Sequence, residues 1–229
     1  MFSRKIRESS DSLNISPNVR KSEILDAIND DEIRKIDKLL NNPELLIWKI
    51  KDENGYTCLH RTVFKNNYDL SSEIIEKVKK EIGLNSKRKI EHYINEKTNE
   101  GLTALHYATI NGNIQIIKLL KQFGATIEAV TNLGKNVLHF AAENNQPSTL
   151  IYFLLNEPLD ILSVDENGST PLHWACYSGA IESVLYLLSL KANINALDNE
   201  RLTPLHIAAT NNREKIVKLL LQHGADKNI

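Results

Sequence analysis

The sequence predicts an all-α solenoid of helix-turn-helix units joined by β-hairpin turns, and three observations carry that expectation. A short string returns along the chain: Cys58-Leu-His60, Ala104-Leu-His106, Val137-Leu-His139, Pro171-Leu-His173 and Pro204-Leu-His206. Its histidines are spaced by 46, 33, 34 and 33 residues, and a fixed period of that length means stacked supersecondary units rather than one wound domain. Behind the strings come apolar runs with helical spacing: Ile116-Ile117-Leu119-Leu120, Leu150-Ile151-Phe153-Leu154, Val184-Leu185-Leu187-Leu188 and Ile216-Val217-Leu219-Leu220. Units then close on Gly124-Ala125-Thr126, Lys191-Ala192-Asn193 or Gly224-Ala225-Asp226.

Taken in order, residues 1–17 read as a disordered polar tail and 18–229 as a single repeat domain. Its first unit, 18–51, lacks the histidine string. Ser22–Ile28 and Glu32–Leu40 read there as two amphipathic helices around Asn29-Asp30-Asp31, an atypical polar cap for the stack. Five full units follow at 52–97, 98–130, 131–164, 165–197 and 198–229. Thr or Ser just before Pro-Leu caps a short helix, and Pro suits its first position because that N–H lacks a partner anyway. Ala141-Ala142 and Ala208-Ala209 let neighbouring helices approach. Asn111-Gly112 and Ser178-Gly179 turn the chain into the second helix, and Gly124 and Gly224 end that helix in a left-handed conformation. Asp52-Glu-Asn-Gly55 and Asp165-Glu-Asn-Gly168 make the hairpin turns between units.

Two units depart from the pattern. The 52–97 unit is 13 residues longer than its fellows, the excess lying within 71–93. It reads as a lengthened second helix ending near Gly83 and a loop through Lys87-Arg88-Lys89. In the last unit Arg201 stands where the hairpin glycine belongs, which predicts a slightly altered turn. Because Ile229 closes a well-formed unit with no polar cap behind it, the chain reads as one end of a longer protein.

Composition narrows the function. The chain has 229 residues, 41% of them hydrophobic, and a net charge of −1, so bulk disorder is excluded and no basic face draws nucleic acid. No apolar stretch approaches the roughly 18 residues of a membrane span, and the start is polar, without a signal core. A soluble, cytoplasmic and monomeric chain is expected. Two cysteines make no disulfide scaffold. Five of the seven histidines sit at one repeated structural position, so they form a row instead of converging as metal ligands must. His92 and His223 have no ligand partners at useful spacing. No nucleophile elbow or phosphate loop is present, and Cys58 and Cys176 occupy packing positions, so no metal, cofactor or catalytic residue is expected. The run Lys77, Lys79, Lys80, Lys87, Arg88, Lys89 reads as a solvated face, and Asn14-Ile-Ser16 and Asn167-Gly-Ser169 as tail and turn rather than glycan sites.

The string G-x-T-P-L-H-x-A-A, followed by L-L-x-x-G-A-D, resembles the ankyrin repeat. The resemblance implies that the histidine bonds the hairpin backbone between units, and that the concave face binds another protein. Its free positions fall here on Tyr56, Leu102, Lys135, Ser169 and Leu202 after the hairpin, and on Phe64, Ile110, Glu143, Tyr177 and Thr210 along the first helix. Several are large and apolar where the fold does not require it. Asn144 and Trp174 fall on adjacent units of one groove. A flat indole beside a carboxamide suits an extended peptide whose backbone needs hydrogen bonds. The strings Leu138–Asn145 and Ser169–Ala175 are similar to the ankyrin segment of the DHHC protein S-acyltransferases. That resemblance implies a substrate-recruiting arm at the cytosolic face of a membrane, in which an Asn and a Trp at these positions capture Gln-Pro-containing motifs. The alternative is a soluble scaffold or inhibitor docking a folded partner.

Overall fold

A computed structural model describes residues 17–83 and 86–229, with side chains from Ser22 onward. The expected tail therefore lies outside the described residues except for Pro17, and so does Asn14-Ile-Ser16. Thirteen α-helices and no extended strand occur among the described residues.

Helix α1 (Pro17–Asn29) starts more than a turn before the expected Ser22, from a proline that suits a first helical position. Asp31, with φ 56°, turns it into α2 (Ile33–Leu40). Ile24, Ile28, Ile36 and Leu40 from the two helices are buried, and α1 packs on α3 (Cys58–Phe64). This unit covers one end of the stack.

Helix α4 (Tyr68–Ile82) is long, as expected, and buries Ile74, Ile75 and Val78. The expected loop through Lys87-Arg88-Lys89 is corrected by the structure. Those residues open α5 (Lys87–Ile94), which buries Ile90, Tyr93 and Ile94 and packs against α4. Three apolar side chains at i, i+3 and i+4 make one helix face, and burying it outweighs a basic first turn that opposes the helix dipole.

The regular pairs follow: α6 (Ala104–Ile110) with α7 (Ile114–Gln122), α8 (Val137–Glu143) with α9 (Pro147–Asn156), α10 (Pro171–Ser178) with α11 (Ile181–Ser189), and α12 (Pro204–Thr210) with α13 (Glu214–Gln222). First helices line up α3–α6–α8–α10–α12, their small residues Ala108, Ala141, Ala142 and Ala208 fully buried at the seams. Ile116, Ile117, Leu120, Leu150, Phe153, Val184, Leu187, Ile216 and Leu220 of the second helices form the continuous core. Gly124 and Gly224 end their helices at φ 89°, as the sequence implied.

The hairpins stack through their backbones. The Asn99 N–H donates to the Asn54 carbonyl, Asn132 to Glu100, Glu166 to Leu133 and Asn199 to Asn167, all at 2.9–3.0 Å. A side-chain rung runs beside this ladder: the Asn99, Asn132 and Asn199 amides donate to the Glu53, Asn99 and Glu166 carbonyls. Glu166 has no amide to give, so that rung is skipped once. We expect Glu166→Asn to restore it and raise stability by about 1 kcal/mol, the net worth of one hydrogen bond, read as a higher urea midpoint. An unchanged midpoint would show that the rungs carry no stability.

Arg201 does not alter its turn. At φ 62° its N–H donates to the Asp198 carbonyl at 3.0 Å, and the Asp198 N–H to the Leu202 carbonyl at 3.1 Å. The same two bonds close the turn at Gly134.

Candidate functional site

Each first helix is held by a reciprocal cap with histidine at its third position. The Thr57, Thr103, Asn136, Thr170 and Thr203 backbone N–H groups donate to Nδ1 of His60, His106, His139, His173 and His206 at 3.0–3.2 Å. An accepting Nδ1 leaves the proton on Nε2. That N–H donates onward to the next hairpin stem: His106 to the Ala129 carbonyl, His139 to Ser169 and His173 to Leu202, at 3.0–3.1 Å. Burial away from water pushes His60, His106 and His139 down from 6.5 to about 4, and His173 down as well, so these rings are neutral struts. Among the described residues, no group of three or more His, Cys, Asp or Glu is arranged to hold a metal. Cys58 and Cys176 are buried and free, and burial pushes the Cys58 thiol up to about 12 and the Cys176 thiol up too. Neither is a ready nucleophile.

The groove wall is built from the residue after each histidine: Arg61, Tyr107, Phe140, Trp174 and Ile207. Arg61 forms an ion pair with Asp52 and lies 4.2 Å over the Tyr56 ring. Trp174 repeats that arrangement with a neutral donor, its Nε1 giving a 2.8 Å bond to Asp165 Oδ2. Lys135 is the least expected member. Its ammonium sits 3.4 Å from the Trp174 ring centroid and 4.5 Å from that of Phe140, and 2.6 Å from Glu143 Oε2. The residue is 6% exposed, so a lysine expected on the binding surface is packed between two rings with its charge neutralised.

The other expected residues divide similarly. Leu102 is buried, while Tyr56, Ile110 and Leu202 are half-buried. The Tyr107 hydroxyl donates to that of Tyr56 at 2.8 Å, and Phe64, 55% exposed, stands edge-on to Tyr107. Tyr177, 49% exposed, stands edge-on to Trp174. Asn144 ends α8 and is exposed, but its amide turns back to the Phe140 carbonyl at 3.0 Å. Asn144 and Trp174 are thus each held by a different neighbour, and Trp174, unlike Asn144, lines a cleft.

Two clefts open between successive hairpins. One, about 480 Å³, lies between the 98–102 and 131–135 turns with Leu102, Leu133 and Phe140 as walls and Glu100 at its rim. The other, about 350 Å³, lies between the 167–169 and 198–202 turns, walled by Trp174, Tyr177, Leu202 and Ile207, with Asp198 and Glu200. Lys135, which also lines the first cleft, lies over the ring of Trp174, which walls the second. Sequence reasoning missed Phe140, Asp165, Asp198, Glu200, Leu133 and Ile207 as parts of this face. The repeat register contained the signal, because the post-histidine position and the first turn residue recur in every unit.

Comparisons with known proteins follow this geometry. The chain matches the family described as ankyrin repeats, three copies, over residues 25–131, 85–161 and 138–229. It is 35% identical over 127 residues to palmitoyltransferase AKR1 of Lachancea kluyveri, covering 54% of this chain and 17% of that protein. It is 34% identical over 181 residues to the B-cell lymphoma 3 protein homolog of Mus musculus, covering 77% and 38%. It is 32% identical over 211 residues to mouse rabankyrin-5, covering 75% and 18%. The chain therefore spans well under half the length of each of these relatives. No described helix is long and apolar enough to cross a membrane.

Proposed function

We propose, since this chain belongs to the ankyrin-repeat family of protein-interaction modules, that residues 18–229 act as one monomeric domain binding a partner's extended segment along the concave face. The observation that carries this is the open apolar wall: Phe64 and Tyr177 stand exposed beside half-buried Tyr56, Ile110, Trp174 and Leu202, with two clefts between the hairpins. Leu102, Lys135 and Glu143 shape that wall from below, and Asn144 borders it. Ankyrin repeats are not catalytic, and any chemistry belongs to another part of the protein.

In the finer reading, the domain recruits disordered Gln-Pro-containing substrates to a membrane-bound DHHC S-acyltransferase from its cytosolic face. The likeness to a palmitoyltransferase supports it, together with exposed Asn144 and cleft-lining Trp174, which the repeat register puts on adjacent units. A second reading is a soluble scaffold or inhibitor docking a folded protein; the chain aligns over longer stretches, 211 and 181 residues, with two mouse relatives that carry no acyltransferase name.

Titrating labelled Gln-Pro-containing peptides by fluorescence anisotropy separates the two. Under recruitment, Trp174→Ala and Asn144→Ala each weaken binding about thirtyfold, the effect of truncating an anchor worth about 2 kcal/mol. Equal affinities for the variants and the parent chain defeat the recruitment reading and leave the scaffold. Circular dichroism on the same samples checks that the fold survives.

A further inference from the structure

We infer that the segment bound on the concave face carries two basic side chains about six residues apart, one seated in each cleft. The two clefts share one chemistry: an apolar floor with uncompensated carboxylates at the rim. In the first the floor is Leu102, Leu133 and Phe140 and the carboxylate is Glu100. In the second, Trp174, Tyr177 and Ile207 face Asp198 and Glu200. Among the described residues, Glu100, Asp198 and Glu200 make no ion pair. Asp198 Oδ1 accepts only the Glu200 and Leu202 backbone N–H groups. Lys135 itself lines the first cleft, but its ammonium pairs with Glu143 and not with Glu100. Lys135 is committed to Glu143 and to two rings, and Arg201 is not among the residues lining the second cleft. An arginine or lysine lays its aliphatic stem on such a floor and its charge at such a rim. A guanidinium adds stacking on Trp174 or Phe140.

The spacing comes from the fold. The clefts lie two units apart, and the stacking of Lys135, from the lining of the first, on Trp174, from the lining of the second, joins them. Packed helices sit about 8–10 Å apart, so the two clefts are roughly 20 Å apart. An extended chain rises about 3.3 Å per residue, so roughly six residues span that distance, and an even separation keeps both side chains on one face.

This rests on the concave face being a peptide site, so the test keeps the two ideas apart. A synthetic peptide of about a dozen Ser, Ala and Gln residues, with two arginines six apart, is titrated against the isotope-labelled domain. A sister peptide carries the arginines side by side. The spaced peptide should bind at least about fivefold tighter and shift the amide signals of the two clefts. Glu100→Gln and Glu200→Gln should each weaken it about threefold, as expected for a partly exposed ion pair. Glu182→Gln, on α11, should not. Equal binding of both peptides, no binding, or shifts confined to α9 and α11 overturn the inference. If Gln-Pro peptides still respond to Trp174→Ala in that case, the peptide site stands and only the basic pair fails. If they do not, both fall.

Discussion

Acidification from about pH 7 to about pH 4.5 is expected to unfold the stack, well above the range in which most carboxylates are fully protonated. In the folded chain His60, His106 and His139 are pushed down to about 4 by burial, whereas unfolded they titrate near 6.5. Between those values the unfolded chain binds more protons. Stability is therefore full above about pH 6.5, falls as the pH drops through the window, and is wholly lost from this source below about pH 4. Each ring contributes roughly 3 kcal/mol across the window, so three together approach the entire stability of an ordinary domain. Urea midpoints measured at about pH 7.5, 6.5 and 5.5 by far-ultraviolet circular dichroism should decline steeply. His106→Gln keeps a side chain suited to the capping box and removes one titrating ring. Its slope should be shallower by up to about 1.4 kcal/mol per pH unit. A midpoint constant down to about pH 5 would mean the rings are protonated where they lie.

Gly101→Ala is expected to cost about 2–3 kcal/mol, a large effect for adding one methyl at a surface turn. At φ 83° any L side chain is strained by about 1–2 kcal/mol. A Cβ there would also lie 2.6 Å from the Asn132 backbone nitrogen, the donor to the Glu100 carbonyl. The next hairpin must then move and lose its bond, costing about 1 kcal/mol more. Gly224→Ala supplies the comparison, because its φ is 89° and nothing lies within 4 Å of the added carbon. It should cost only the strain. If the two variants denature alike, the hairpin contact contributes nothing.

Periodicity made most of the fold legible. The histidine strings, caps and helix-ending glycines are local features that every unit repeats, so one unit explains the others. Helix α5 was not legible as a helix because its first turn is basic, against the helix dipole, and Ser86 before it makes no side-chain cap. Only the burial of Ile90, Tyr93 and Ile94 against α4 reveals it. The site was legible in position but not in state. Lys135 occupies the variable slot after a hairpin glycine, yet its surroundings come from Phe140 in its own unit and Trp174 in the next. Register alone puts Asn144 and Trp174 on adjacent units, while the hydrogen bonds that hold each one depend on three-dimensional neighbours.

The last hairpin departs from the interlock of the others. At Gly55, Gly101, Gly134 and Gly168 the neighbouring tip comes within 2.6–3.1 Å of where a side chain would begin, and only a bare backbone admits it. Arg201 adopts the same left-handed geometry but carries a Cβ in that space. A hairpin tip approaching Arg201 as closely as these tips approach their glycines would meet that Cβ, so the tight interlock of the earlier hairpins has no counterpart at this turn.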